Sequence, residues 1–204
     1  MKILGIDPGS VYCGYGVVIA ESDQRAVPLS GRSVRGRSNR IVYGASGRIV
    51  LPAARPLEIR LRQLFSSLQD VISEFAPDVI AVERIFFAKS TKSALTLGHT
   101  RGVVLLAVAQ SDRPLHEYTA LEVKKAVVGY GRAEKAQVES MVRQILGIRH
   151  ALTPDSADAL ALALCHANHQ SFAEASGNIN PLLAARSRKQ AGRIQKAKLT
   201  MQKE

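Results

Sequence analysis

Two apolar, β-branched runs, "KILGID" and "YGVVIA", open the chain and read as short strands joined by the Gly-containing connection "PGSVYCG". A polar stretch rich in Gly, Ser and Arg follows from about Ser30 to Gly47, with "RIVY" and "RIVL" as strand fragments, and both an elongated hairpin and a long loop fit it. The period then changes. Leu57, Leu61, Leu64, Leu68, Val71, Ile72 and Phe75 recur at the spacing of an amphipathic helix, which Pro77-Asp78 ends. "VIAVE" is a short apolar strand closing on Glu83, and "LHEY" a further one. Between them "SALTLGHTRGVVLLAVAQ" has helical length and is apolar nearly all round in its second half, which predicts burial on more than one side. "AEKAQVESMVRQILG" predicts a helix with Val138, Met141, Val142 and Ile145 on its core face and Gly147 as C-cap. "TPDSADALALALCHAN" opens with helix-start signals, Thr153 as N-cap and Pro154 in the first turn.

Strands first and then strand–helix alternation define an α/β domain with a mixed sheet. After about Ser171 the order signals fade, so the expected organisation is one domain over 1–171 and a basic tail over 172–204. The 204 residues, 46% of them hydrophobic, suffice for one ordinary core. Two cysteines, Cys13 and Cys165, are too few for a disulfide framework or a four-thiolate metal site. The N-terminus lacks the signature of a signal peptide, and apolar runs such as "GVVLLAVA" are far shorter than the ~20 residues of a membrane span. These features predict a protein of the reducing cytosol with no membrane role.

The net charge of +11 changes the picture through its distribution. From Gln24 to Arg55 there are seven arginines and no acid, and from Leu182 to Glu204 seven Lys/Arg and one Glu, while the rest of the chain is slightly acidic. An Arg-rich insertion and a basic tail suit a polyanion such as nucleic acid, held through phosphates with steep salt dependence. Tails of this kind also serve solubility alone.

Four carboxylates stand out, each with a plainer reading beside the functional one. Asp7 ends the first strand and enters a Pro-Gly turn, where Asp is at home without further purpose. Glu83 follows "VIAV" directly, so it lies beyond the buried strand or in a site. Asp155 and Asp158 share one face of a helix's first turn, where acids already favour the helix dipole. Together they carry more. Two strand-end acids and a helical pair that can cross the same sheet form an all-oxygen donor set suited to hard cations such as Mg²⁺. Without cations between them the four would repel one another. Two ions about 3.5–4 Å apart can clamp both oxygens of a displacement at phosphorus. A non-enzymatic basic DNA-binding module would explain the charge but not these four acids in order.

The same residues resemble the RuvC family of bacterial Holliday-junction resolvases, from Met1 to about His166. "GIDPGS", "PLEIRL", "AVERIFFAKSTKSALTLGHTRGV", "VKKAVVGYGRAEKAQVESMVRQIL" and "DSADALALALCH" match that family's blocks in order. The stretch from Gln24 to Arg55 and the basic tail depart from its pattern.

The resemblance implies a ribonuclease-H-like fold, a mixed five-stranded sheet flanked by helices. It implies a catalytic set of Asp7, Glu83, Asp155, Asp158 and Lys135, the four acids being ligands of two Mg²⁺ ions for which Mn²⁺ substitutes. On this reading one ion lies between Asp7 and the Asp155/Asp158 pair, and the other between Asp7 and Glu83. It further implies DNA contacts from Phe86, Phe87, Lys89, Lys92, Lys124 and Lys135. Phe86 is the expected base-stacking wedge, because adjacent residues of an extended segment face opposite ways. His99, His116, His150, His166 and His169 match no catalytic position. The implied activity is symmetric nicking of two like-polarity strands of a four-way DNA junction, leaving 5′-phosphate and 3′-hydroxyl ends. The implied partners are a second copy of the chain and the branch-migration proteins RuvA and RuvB, in a bacterial cytoplasm; for the second copy, "LGHTRGVVLLAVA" is the candidate interface, since small Gly98 and Gly102 allow close approach and its excess apolar surface needs cover. The alternative is another ribonuclease-H-like nuclease acting on flaps or RNA–DNA hybrids.

Overall fold

β1 (Lys2–Asp7) and β2 (Tyr12–Asp23) pair antiparallel around the turn at residues 8–11, with Gly5 opposite Gly16 and Asp7 opposite Gly14. The computed structural model describes residues 1–23, 27–29, 32–34, 38–84 and 91–175, with side chains described for 1–21, 40–84 and 94–171. β3 (Val27–Leu29) and β4 (Arg32–Val34) make a small hairpin of their own. β5 (Ser38–Val50) then runs antiparallel to β2 for nearly its whole length, with one irregularity between Val17 and Val18. The two strand fragments read from the sequence are therefore parts of one 13-residue strand. "GAS" between them carries no strand signal of its own, and the β2 ladder overrides that local preference.

α1 (Leu57–Phe75) buries Leu64, Leu68, Val71 and Ile72 and ends where Ala76 turns left-handed at φ 43°, its N–H returning to the Ile72 carbonyl. β6 (Val79–Glu83), α2 (Thr91–Gln110) and β7 (Leu115–Tyr118) follow, with β6 parallel to both β1 and β7. α3 (Ala120–Val128) was not expected from hydrophobic period. Its start is fixed by a reciprocal cap, in which Thr119 Oγ1 accepts from the Glu122 N–H and the Glu122 carboxylate from the Thr119 N–H. α4 (Lys135–Leu146) ends at left-handed Gly147, as its C-cap signal predicts. Its core face carries Val138, Val142 and Leu146, whereas Ile145 is exposed, so the stripe is rotated by one residue from the expected one. α5 (Pro154–Ala175) starts at Thr153, whose hydroxyl accepts from the Ser156 N–H at 3.3 Å, and runs four residues beyond the expected end of order.

The resulting sheet has the order β5-β2-β1-β6-β7, antiparallel on one side of β1 and parallel on the other. Strand alternation sorts its side chains into two apolar layers. Leu4, Ile6, Ile80 and Val82 pack under α1 and α2, while Ile3, Val79 and Ala81 face α3, α4 and α5. The same alternation puts Asp7, two beyond Gly5, and Glu83, two beyond Ala81, on the α5 face. The chain divides into two compact units, Met1–Asn168 and His169–Glu204, and the sheet with all helices up to Asn168 belongs to the first. Among the described residues, no helix is long and apolar enough to cross a membrane.

α2 departs from expectation in one respect. Val104, Ala107 and Val108 are buried, but Leu95 and Leu106 are 63% and 51% exposed. Around Gly98 and Gly102 an added Cβ would meet no atom within 4 Å. Among the described residues this helix is covered on one side only.

Candidate active site at the ends of beta1 and beta6

Asp7 and Glu83 close two adjacent parallel strands, one residue past the paired positions Ile6 and Val82. Their carboxylates thus leave the sheet side by side at its C-terminal edge, on the face that α5 crosses. Two glycines let α5 come down onto the strands. A Cβ on Gly5 would collide with the Ala159 carbonyl, and one on Gly14 with the Asp155 carbonyl. Backbone therefore meets backbone, and the first turn of α5 is held directly over the residue pair Asp7–Gly14.

Asp7, Glu83 and Asp158 line one cleft of about 130 Å³, with Lys124 from α3 and Lys135 from α4 on its other wall. Lys135 Nζ donates to Asp158 Oδ2 at 2.8 Å. A larger hollow of about 550 Å³ beside the end of α4 has a single acid, Glu139, in its lining and lies away from this group.

Burial pushes the Asp7 carboxyl up to about 7, with repulsion from Asp158, Glu83 and Asp155 adding to it and Lys135 opposing. Burial also raises Glu83, reinforced by Asp158 and offset by Lys135, Arg101 and a hydrogen bond from Asp7. The two strand-end acids are thus near enough to interact directly. Lys135 is raised chiefly by its hydrogen bond to Asp158 and stays charged. Like charges crowded into a partly desolvated cleft resist full ionisation until something positive joins them.

Of the residues expected from sequence, Asp7, Glu83, Asp158, Lys124 and Lys135 come together in this cleft. Asp155 acts on Asp7 electrostatically from the neighbouring turn without lining it. Phe86, Phe87 and Lys89 lie outside the described residues, as does the side chain of Lys92 in α2. The histidines are elsewhere. His166 is buried with Nδ1 2.7 Å from the Tyr118 hydroxyl, His116 packs on its ring, and His150 packs on Tyr43.

Two arginines escaped the sequence reading. Arg60 of α1 donates to the Ser10 carbonyl, tying down the turn after Asp7. Arg101 of α2 donates to the Glu83 carbonyl at 2.7 Å and pairs with Glu117 on β7. Both lie inside blocks that match the family, "PLEIRL" and the Gly-x-x-Arg-Gly end of "LGHTRGV", but nothing in those blocks tells which backbone each side chain reaches. The glycines did leave a trace: glycine within an apolar strand points to close backbone approach.

The donor set fits hard divalent metal ions in its chemistry. It is all carboxylate oxygen, mutually repulsive, and partly withdrawn from water. Among the described residues no three His, Cys, Asp or Glu side chains are already arranged to hold an ion.

A mixed sheet of this order, with acids at the ends of two central strands and on a helix crossing them, defines a nuclease of ribonuclease-H-like fold. The chain belongs to the RuvC family: the family model described as crossover junction endodeoxyribonuclease RuvC matches residues 26–166. A relative of that name from Bordetella avium is 44% identical over 199 residues, covering 98% of this chain and 99% of its own. Another, from Syntrophomonas wolfei, is 44% identical over 180 residues, covering 86% and 95%. Among solved structures, Thermus thermophilus RuvC in complex with Holliday junction substrate superimposes with a TM-score of 0.72 at 31% identity, covering 84% of this chain and 96% of that one.

Proposed function

We propose that the protein resolves Holliday junctions by hydrolysing one phosphodiester in each of two like-polarity strands, leaving 5′-phosphate and 3′-hydroxyl ends. The observation that carries this reading is the meeting of Asp7, Glu83 and Asp158 with Lys124 and Lys135 in one cleft of a RuvC-family chain. Asp7, Glu83, Asp155 and Asp158 are the residues that would hold two Mg²⁺ ions, with Mn²⁺ as a substitute. Such ions, when bound, supply positive charge that activates water and stabilises the leaving oxygen.

The chain's own residues do the rest. Asp7, at the centre of the acid set, yields its proton when positive charge enters the cleft. The ends of β1 and β6 bring the acids side by side before substrate arrives, which limits the reorganisation that accompanies the reaction. Lys135 stands where it can meet charge developing on a phosphate, and Lys124 holds the backbone beside it. Phe86 and Phe87, with Lys89 and Lys92, would engage bases and phosphates near the crossover, and the basic segments at 24–55 and 172–204 would hold the arms.

Two nicks on matching strands require two sites related by a two-fold axis, which an isologous dimer provides. The exposed Leu95 and Leu106 beside the open Gly98 and Gly102 favour α2 as the contact. RuvA and RuvB are the expected partners on the junction, in the bacterial cytoplasm.

The test is Asp7→Asn. It should abolish junction cleavage, by at least about 1,000-fold, while junction binding in EDTA stays within about twofold of the parent. Cleavage surviving in that variant would overturn the assignment.

A further inference from the structure

Arg101 lies in α2, outside the cleft, yet its side chain ends on the strand that delivers Glu83. Nη1 donates to the Glu83 backbone carbonyl at 2.7 Å, and Nη2 is hydrogen-bonded to the Glu117 carboxylate on β7. Both side chains of this ion pair are largely shielded, 21% and 31% exposed, so the contact is charge-assisted and only partly screened. Glu83 needs such a restraint. It is the last residue of β6, where the ladder to β7 ends with Glu83 opposite Tyr118 and the Arg84 N–H bonded to the Tyr118 carbonyl at 2.7 Å. Glu83 has no partner in the β1 ladder, which stops at Ile6 opposite Val82. A strand terminus held from one side only is free to twist, and twisting β6 there swings the Glu83 carboxylate relative to Asp7.

We propose that Arg101 is a positioning residue for Glu83: by holding the last carbonyl of β6 and the Glu117 carboxylate at once, it fixes where the Glu83 side chain stands against Asp7. The proposal rests on reading Glu83 as one of the metal-holding acids. Only a guanidinium suits the task. Its planar fork presents parallel donors to two acceptors a fixed distance apart, whereas a lysine ammonium is a single point at the end of a flexible stem. Glu117 completes the geometry from β7, the next strand in the sheet, so α2, β6 and β7 are locked together at the rim of the cleft. Because Arg101 touches backbone rather than the reacting atoms, its loss should alter how well the acids gather around a cation and leave the grip on DNA alone.

The test uses the full-length chain and its Arg101→Lys, Arg101→Gln, Glu117→Gln and Glu83→Gln variants. Four quantities are measured: Mn²⁺ binding without DNA by calorimetry, the Mn²⁺ concentration for half-maximal junction cleavage, junction affinity in EDTA, and Tm in EDTA. Outer-shell partners of metal ligands typically matter by about 10–100-fold in affinity or activity. Both Arg101 variants should therefore need about tenfold more Mn²⁺ by either measure, with junction affinity unchanged. Glu117→Gln, which keeps the donor to Glu83, should shift the Mn²⁺ requirement less than either. The proposal is overturned if Arg101→Lys binds and uses Mn²⁺ like the parent. It is also overturned if Arg101→Gln lowers Tm as Glu117→Gln does with no change in Mn²⁺ binding, which is the mark of a merely structural ion pair. Glu83→Gln separates the two kinds of failure. If it cleaves like the parent, the reading of Glu83 itself falls; if it is inactive beside a normal Arg101→Lys, only the role of Arg101 falls.

Discussion

Lys135 Nζ stands 2.8 Å from Asp158 Oδ2, a cation from the first turn of α4 set against an acid from the first turns of α5. The lysine side chain is 81% exposed and the aspartate 32%, so the pair adds little to stability, within the ~0–1 kcal/mol usual for such contacts. Its consequence is for the cleft, where it occupies an oxygen of the acid set. Lys135→Met should leave Tm within about 2 °C, tighten Mn²⁺ binding measured by calorimetry, and slow single-turnover cleavage by about 100-fold. A variant with weaker Mn²⁺ binding and normal cleavage would mean the pair only braces α4 against α5.

The contact of α5 with the sheet depends on the missing side chain at Gly14, which lies opposite Asp7 and beneath the Asp155 carbonyl. Gly14→Ala inserts a methyl where backbone already sits, an overpacking change worth about 1–3 kcal/mol. It should also lift Asp155 and Asp158 away from Asp7, reducing cleavage by more than about tenfold with junction binding retained. Thermal unfolding and single-turnover cleavage check both halves, and a normal rate would show that the acids tolerate a displaced helix.

α2 offers the opposite case. Glycine in a helix interior costs ~1 kcal/mol relative to alanine, and Gly98 and Gly102 have open space around them. Gly102→Leu should therefore fold at least as stably as the parent but dissociate more readily, with a dimer Kd raised about tenfold or more in sedimentation equilibrium. Undiminished self-association would move the dimer contact off this face.

His116 gives the pH dependence. Burial lowers it from the ordinary histidine value, so the folded chain binds fewer protons there than the unfolded one. Stability from this residue is full above the unfolded value of about 6.5 and declines as pH falls toward the folded value, below which the penalty is complete. Between pH 7.5 and 5 the parent should lose a few degrees more in Tm than His116→Gln. Parallel Tm–pH curves would contradict this.

The legible and illegible parts of this structure differ in physical kind. α1, β6 and α4 follow from hydrophobic period and caps, because those signals are local. The acids Asp7 and Glu83 were visible as charges at the ends of apolar strands, and their shared face follows from two-residue alternation along β1 and β6. β5 was ambiguous because its pairing to β2 is decided by a partner strand. α3 is short, with only Val123 and Val127 buried, so its clearest sequence signal is the reciprocal cap of Thr119 and Glu122 and not a hydrophobic period. For α2 the apolar second half predicts burial on more than one side, but apolar content does not say which sides of a helix have neighbours. Arg60 and Arg101 stand in family-matching blocks, but their clamping partners are not legible, since the carbonyls they reach lie 50 and 18 residues away.

The acids of this cleft, in a RuvC-family chain, are proposed to serve a metal-dependent nuclease selective for four-way junctions. The most direct test is cleavage of a mobile four-way junction beside duplex, flap and RNA–DNA hybrid substrates of matched sequence, each with Mg²⁺ and with EDTA. Paired, ligatable nicks are expected in the junction alone, present with Mg²⁺ and absent with EDTA. Equal or faster cleavage of the flap or hybrid, or junction cleavage that persists in EDTA, would contradict it.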